Sequence, residues 1–242
     1  MHQILLVGLY GLITALATGL GALPFAFVRR ISGRAVAVSN ALAAGLMLGA
    51  SFGLLAEGSR HGSLQTIVGA NAGLLFVLFA HRWLGHEEVS FGEVTGAGAR
   101  RMLLIVLVMT VHSFSEGVAV GAAFGGGTEL AFLITVAIAV HNIPEGLAIS
   151  AVLRPEGTSV AACAGWSVFS SLPQPLMAVP AFLLVETVRP ALPYGIGFAA
   201  GAMVFMVFLE LLPGAFEDAP RWVIGLLTSS SMALMLLFQR IL

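Results

Sequence analysis

Two short segments carry residues whose types and spacing could bind a divalent cation. His112-Ser113-Phe114-Ser115-Glu116-Gly117 and His141-Asn142-Ile143-Pro144-Glu145-Gly146 both read H-x-x-x-E-G, at an offset of 29 residues. On a helix, residues four apart lie ~40° apart on one face, one turn above the other. Each segment therefore presents an imidazole and a carboxylate together. Imidazole nitrogen and carboxylate oxygen suit zinc, and with more oxygen they suit iron or manganese. Two His and two Glu make four ligands if the two helices pack side by side. No thiolate joins them: the one cysteine, Cys163, lies in a separate apolar stretch. Such a site should bind less tightly than a structural zinc centre, which suits an ion that has to leave again.

The surroundings sharpen this chemistry. Both segments fall near the centre of long apolar runs, where an ionised carboxylate costs at least ~2.5–3.5 kcal/mol on insertion scales. Two such carboxylates on neighbouring helices would also repel, so positive charge is expected between them. Pro144 removes a backbone hydrogen bond and strains the Val140 carbonyl, which predicts a kink beside the second segment and a carbonyl available to a cation. Gly117, Gly121 and Gly146 remove side-chain bulk and permit close helix approach. The opposing reading makes these His and Glu structural glue between helices. A duplicated pair at mid-depth argues against it.

The elements that position these residues follow from composition. Of 242 residues, 58% are hydrophobic and 10% charged, and the mean hydropathy is +0.99. A soluble domain carries about 25% charge, so this chain needs lipid around it. The net charge of −1 argues against nucleic acid, which selects a basic surface. Eight windows reach the ~20 apolar residues that span a bilayer: 3–28, 37–57, 63–81, 102–124, 129–153, 160–185, 191–212 and 221–241. The expected fold is all-α, a single polytopic transmembrane domain over 1–242 with a polar loop at 82–101. Alternating strands of a membrane barrel are not present in the pattern.

Arginine placement orients the bundle. Arg29, Arg30, Arg34, Arg82, Arg100, Arg101, Arg154 and Arg221 fall in one set of alternate loops, against Arg60, Arg189 and Arg240 on the other face. Eight against three puts the first set, and the 82–101 loop, in the cytoplasm and both termini outside it. The start, Met1-His2-Gln3, has no cation and the first apolar run is long, so it reads as a retained span rather than a signal peptide. A short chain without an organelle-targeting segment points to a bacterial inner membrane. A weaker repeat pairs Ala43-Ala44-Gly45-Leu46-Met47 with Ala199-Ala200-Gly201-Ala202-Met203 at an offset of 156. Both repeats join spans of opposite direction, as inverted-repeat symmetry requires.

These residues resemble the ZIP (Zrt/Irt-like) family of divalent metal transporters. The resemblance rests on the H-N-x-P-E-G hexapeptide at His141, its partial duplicate at His112, and eight spans with a polar third loop. It implies inward metal movement by alternating access through a site on helices four and five, and a homodimer. It also implies His112, Glu116, His141 and Glu145 as the primary site, in many members a binuclear one bridged by the two glutamates. Met47 stands where some members offer a helix-two methionine. Two positions depart from the family pattern. Ser113 replaces an Asn, and Gln174, in Ser170-Ser171-Leu172-Pro173-Gln174-Pro175, replaces a Glu. A neutral amide attracts a second dication less, so the expectation is one strongly bound metal with Asn142, Gln174 and Ser113 as auxiliary ligands.

Several residues admit a second reading. Met47 and Met203 also suit plain packing, though a thioether can serve as a soft ligand. Glu57 and Glu210, near span ends, suit either interfacial residues or stepping stones for an ion. His81, His86, Glu87 and Glu88 could collect metal in the loop or be ordinary solvated charge. An intramembrane metal-dependent hydrolase is the alternative from another class, but H-E-x-x-H is absent and both glutamates are needed as ligands. A proton-coupled carrier without metal would use the same His/Glu pairs as a relay. His and Glu accept Zn²⁺, Cd²⁺, Fe²⁺, Mn²⁺ and Co²⁺ alike. The ion is cargo, and no prosthetic group is called for.

Overall fold

Long apolar runs in lipid have no partner for a backbone N–H except their own carbonyls, so they form helices. The computed structural model describes residues 2–27, 32–86, 90–91, 94–125, 127–184 and 189–241. Its helices are α1 (His2–Leu20), α2 (Gly33–His86), α3 (Gly96–Phe124), α4 (Thr128–Leu153), α5 (Val160–Ser171), α6 (Pro173–Leu183), α7 (Leu192–Met206), α8 (Leu212–Asp218) and α9 (Arg221–Ile241). A π turn, Val207–Leu211, joins α7 to α8. Six stretches among the described residues are long and apolar enough to cross a membrane: His2–Ala26, Gly33–Trp83, Gly98–Phe124, Ile134–Leu153, Leu192–Asp218 and Arg221–Arg240. The chain is an all-α, polytopic membrane protein.

The longest stretch, Gly33–Trp83, has 51 residues. Straight, it would reach about 77 Å, far beyond ~30 Å of hydrocarbon. Gly62 breaks it with extended backbone (φ 167°, ψ 99°). Residues eight apart on a straight helix are ~12 Å apart, yet a Cβ on Gly58 would stand 2.8 Å from Thr66 Oγ1. The chain therefore doubles back at Gly62 into two arms. Within the window expected at 160–185 the helix is divided at Leu172, because Pro173 brings no N–H to the ladder. In the polar stretch 82–101, α2 continues to His86 and α3 begins at Gly96, and among the described residues between them Ser90–Phe91 pairs antiparallel with Val94–Thr95. Gly96, at φ +72°, makes the left-handed turn into α3 that a side chain would resist.

The helices pack in two groups. One contains α1, α3, α4, α5 and α6; the other contains α2, α7, α8 and α9. They meet where α2 touches α4 and α3 touches α7. Lipid supplies no hydrophobic force between helices, so close approach depends on small residues. Gly45 lies on the Thr228 carbonyl of α9 and Gly201 on the Ala70 carbonyl of α2, each without room for a Cβ. Leu5, Leu9 and Leu16 of α1 and Trp222, Leu226 and Leu234 of α9 face outward, where an apolar solvent suits them. The largest apolar core joins both groups and contains Met47, Val108, Met109, Ile149, Met203 and Met206.

Candidate metal site

Helix period puts His112 and Glu116 on one face of α3, and Asn142 and Glu145 on one face of α4. The two helices run as a hairpin through Gly127, whose φ of +108° only glycine adopts easily. That brings the faces together. His112 Nε2 stands 3.0 Å from Glu145 Oε1 and 3.5 Å from Glu116 Oε1. His112, Glu116 and Glu145 each offer a ligand atom, all within 4.8 Å of one another, and all three are buried. Pro144 sits inside α4, which continues through it. His141 belongs to α4, one turn before Glu145, but its side chain lies outside the described residues, as does that of Ser115.

A third helix completes the polar chain. Gln174 Nε2 donates to Glu116 Oε2 at 2.5 Å, and Gln174 Oε1 accepts from Asn142 Nδ2 at 3.0 Å. Asn142 Nδ2 also donates to the Thr14 carbonyl of α1 at 2.8 Å. Asn142, Glu145 and Gln174 are fully buried. Glycines allow this convergence. A Cβ on Gly117 would stand 2.5 Å from the Gln174 carbonyl, and one on Gly146 would strike the Thr18 carbonyl. Without those two glycines, α6 and α1 could not come near enough for Gln174 and Asn142 to bond across. Ser113 is buried on α3, and its hydroxyl has no hydrogen-bond partner among the described residues. Met47 is packed in the apolar core beside Val108, Met109 and Met203, rather than in this polar chain.

The charges define what the site can do. Among the described residues two carboxylates face the His112 imidazole, and no arginine occurs between Arg101 and Arg154 in the sequence. An imidazolium would offset one carboxylate, whereas a dication would offset both. The spacing suits a metal: with bonds of ~2.0–2.1 Å, two ligands of a tetrahedral zinc are ~3.4 Å apart, close to the 3.0 and 3.5 Å measured from His112.

A second polar cluster lies at the arginine-rich end. Glu210, in the π turn and mostly buried, accepts from Arg101 Nε at 2.9 Å and lies 3.5 Å from His81 Nδ1. With Gly98, Arg100 and Glu156 these residues line a cavity of about 340 Å³. Glu57 is elsewhere and exposed, bonded to Arg60 and His61. Glu87, Glu88 and the His86 side chain lie outside the described residues.

Sequence reasoning missed Thr14, Thr18 and Ser171, whose hydroxyls and carbonyls extend the polar chain; Thr18 Oγ1 and Ser171 Oγ are 2.7 Å apart. The available signal was Gly11, Thr14 and Thr18 at helical spacing on an otherwise apolar α1. It also missed Arg101 as a partner for Glu210.

Comparison with known proteins agrees with this chemistry. The family described as ZIP zinc transporter matches residues 84–237. A protein of Arabidopsis thaliana named "putative zinc transporter" is 46% identical over 217 residues, covering 88% of this chain and 35% of its own length. The zinc transporter GufA of Myxococcus xanthus is 32% identical over 224 residues, covering 85% of this chain and 88% of its own. The chain thus spans about a third of the plant relative and most of the bacterial one.

Proposed function

This chain belongs to the ZIP family of zinc transporters, and from that premise we propose that it moves a divalent cation, zinc foremost, into the cytoplasm by alternating access. The family is one of transporters, so the hydrolase reading is set aside. The single observation that carries the proposal is the buried convergence of His112, Glu116 and Glu145, with the His112 nitrogen facing both carboxylates at ligand-to-ligand spacing. His141 is the fourth ligand in this reading, one helical turn from Glu145. Cd²⁺, Fe²⁺, Mn²⁺ and Co²⁺ are further cargo for the same donors.

Gln174 decides the stoichiometry. Its amide N–H₂ faces Glu116 and its oxygen is taken by Asn142, so the position that would be acidic in a binuclear site is here a neutral donor. One strongly bound metal follows, with Asn142, Gln174 and Ser113 as auxiliary ligands that turn toward the ion when it arrives. Met47, packed in the apolar core, is in this reading a soft thioether that turns toward the ion when it arrives.

The architecture in this reading is eight spans with inverted-repeat symmetry, two of them being the arms of α2 either side of Gly62 and one the α5–α6 pair. The repeat is supported by the equivalent seats of Gly45 on α9 and Gly201 on α2. Both termini lie outside the cytoplasm of a bacterial inner membrane, the 82–101 segment lies inside, and two copies form a homodimer.

The test is uptake into liposomes that contain the purified protein and a metal-sensitive dye. Saturable Zn²⁺ or Cd²⁺ influx is expected, lost by on the order of 100-fold in folded His112→Ala and Glu145→Ala variants. Influx undiminished in those variants refutes the site.

A further inference from the structure

Along α3, the contact between the two groups of helices has two stretches of unlike chemistry. Between α3 and α7, a cavity of about 310 Å³ is lined by Val111, Val118, Leu192 and Ile196 among other apolar residues. Toward the start of α3 the seam is polar, with the cavity that Arg101 and Glu210 share. Between described residues, the side-chain hydrogen bonds from helix to helix otherwise stay inside one group. Thr18–Ser171, Asn142–Thr14, Asn142–Gln174 and Gln174–Glu116 lie in the first group. Thr228–Ala41 and Gln239–Ala50 lie in the second. The exception is Arg101 on Glu210 at 2.9 Å, which ties α3 of the first group to the π turn of the second.

We propose that the Arg101–Glu210 ion pair is a latch that holds the two helix groups together at their arginine-rich end and must open when the groups shift. A latch has to be strong enough to favour one arrangement and weak enough to release. Glu210 is 9% exposed and Arg101 37%, so the carboxylate is removed from water while the guanidinium keeps one side open to it. Screening is therefore only partial. Release does not strand either charge. His81 remains beside Glu210, and the adjoining cavity is polar and wide enough for water to solvate both groups. The apolar seam offers nothing comparable: its residues can slide without breaking a polar contact. Arg101 thus acts as a positioning residue, on the relation between the groups rather than on the metal.

The consequence for transport rests on the function proposed above; the latch itself is read without metal. Thr95, six residues before Arg101, and Glu217, seven after Glu210, are exposed, and cysteines there, in a Cys163→Ser background, take spin labels for a distance measurement in nanodiscs without metal. The intact pair should yield one narrow distribution. Arg101→Gln and Glu210→Gln should each add a longer component, lowering the ratio of short to long on the order of tenfold. The charge-swapped double variant Arg101→Glu/Glu210→Arg should restore the narrow one. Unchanged distributions in both single variants, or a swap as broad as the singles, overturn the latch. In liposomes, Arg101→Gln should change zinc uptake several-fold while zinc affinity stays within about twofold; unchanged uptake also overturns it. Wild-type protein that moves no zinc defeats the transport reading and leaves the latch to the distances alone.

Discussion

The His112 cluster and the cluster at Glu210 both set glutamate beside histidine and are balanced in opposite ways. In the first, among the described residues, Glu116 and Glu145 both face His112, and the nearest arginines in sequence are Arg101 and Arg154. At Glu210, a single carboxylate has a guanidinium at 2.9 Å. A buried charge paired with a tethered partner is complete in itself, whereas two buried carboxylates beside a histidine form a donor set that a dication can share. In the function proposed above, the first cluster takes the cargo and the second joins the two helix groups.

Neutralising the acids should therefore act in opposite directions. The double variant Glu116→Gln/Glu145→Gln is expected to reduce zinc uptake to background and to abolish zinc-dependent thermal stabilisation. Its metal-free melting temperature should hold or rise, because repulsion is relieved. Glu210→Gln should instead lower the metal-free melting temperature by a few degrees, since Arg101 loses its acceptor, yet keep zinc-dependent stabilisation. If both variants shift stability in the same direction, the distinction between the clusters fails.

A smaller effect tests the neutral amide. Gln174→Glu places a third carboxylate beside Glu116, so it should lower metal-free stability and raise zinc stoichiometry from one toward two per chain, read by titration calorimetry. Unaltered stoichiometry and ion preference would mean that Gln174 has no part in metal binding. The smallest expected change is at Met47. Met47→Leu keeps the packing of the core and should weaken Cd²⁺ binding about two- to fivefold more than Zn²⁺ binding, as loss of a thioether implies. Equal effects on the two metals would make Met47 a packing residue.

Much of the site was readable in sequence because helical spacing is local. His112 with Glu116, and His141 with Glu145, need only 3.6 residues per turn to share a face; the structure brings His112, Glu116 and Glu145 together, and the His141 side chain lies outside the described residues. What could not be read depends on register between distant helices. Gln174 was identified as a neutral substitute for an acid, but its donation to Glu116 depends on Gly117 letting α6 approach α3. The Thr14 carbonyl enters through α1, whose composition is almost wholly apolar. Arg101 and Glu210 are 109 residues apart in sequence, and a π turn sets the direction of the carboxylate, which no periodic pattern announces. The same holds for the fold. Apolar runs announce the helices, whereas the break at Gly62 and the start of α3 at Gly96 depend on backbone angles at single glycines.

Anomalous X-ray scattering from crystals grown with zinc tests the central claim most directly. One strong peak is predicted per chain, about 2.0–2.2 Å from His112 Nε2 and from carboxylate oxygens of Glu116 and Glu145. A protein that binds zinc but shows no peak between those three side chains, or two peaks of equal occupancy there, would contradict it.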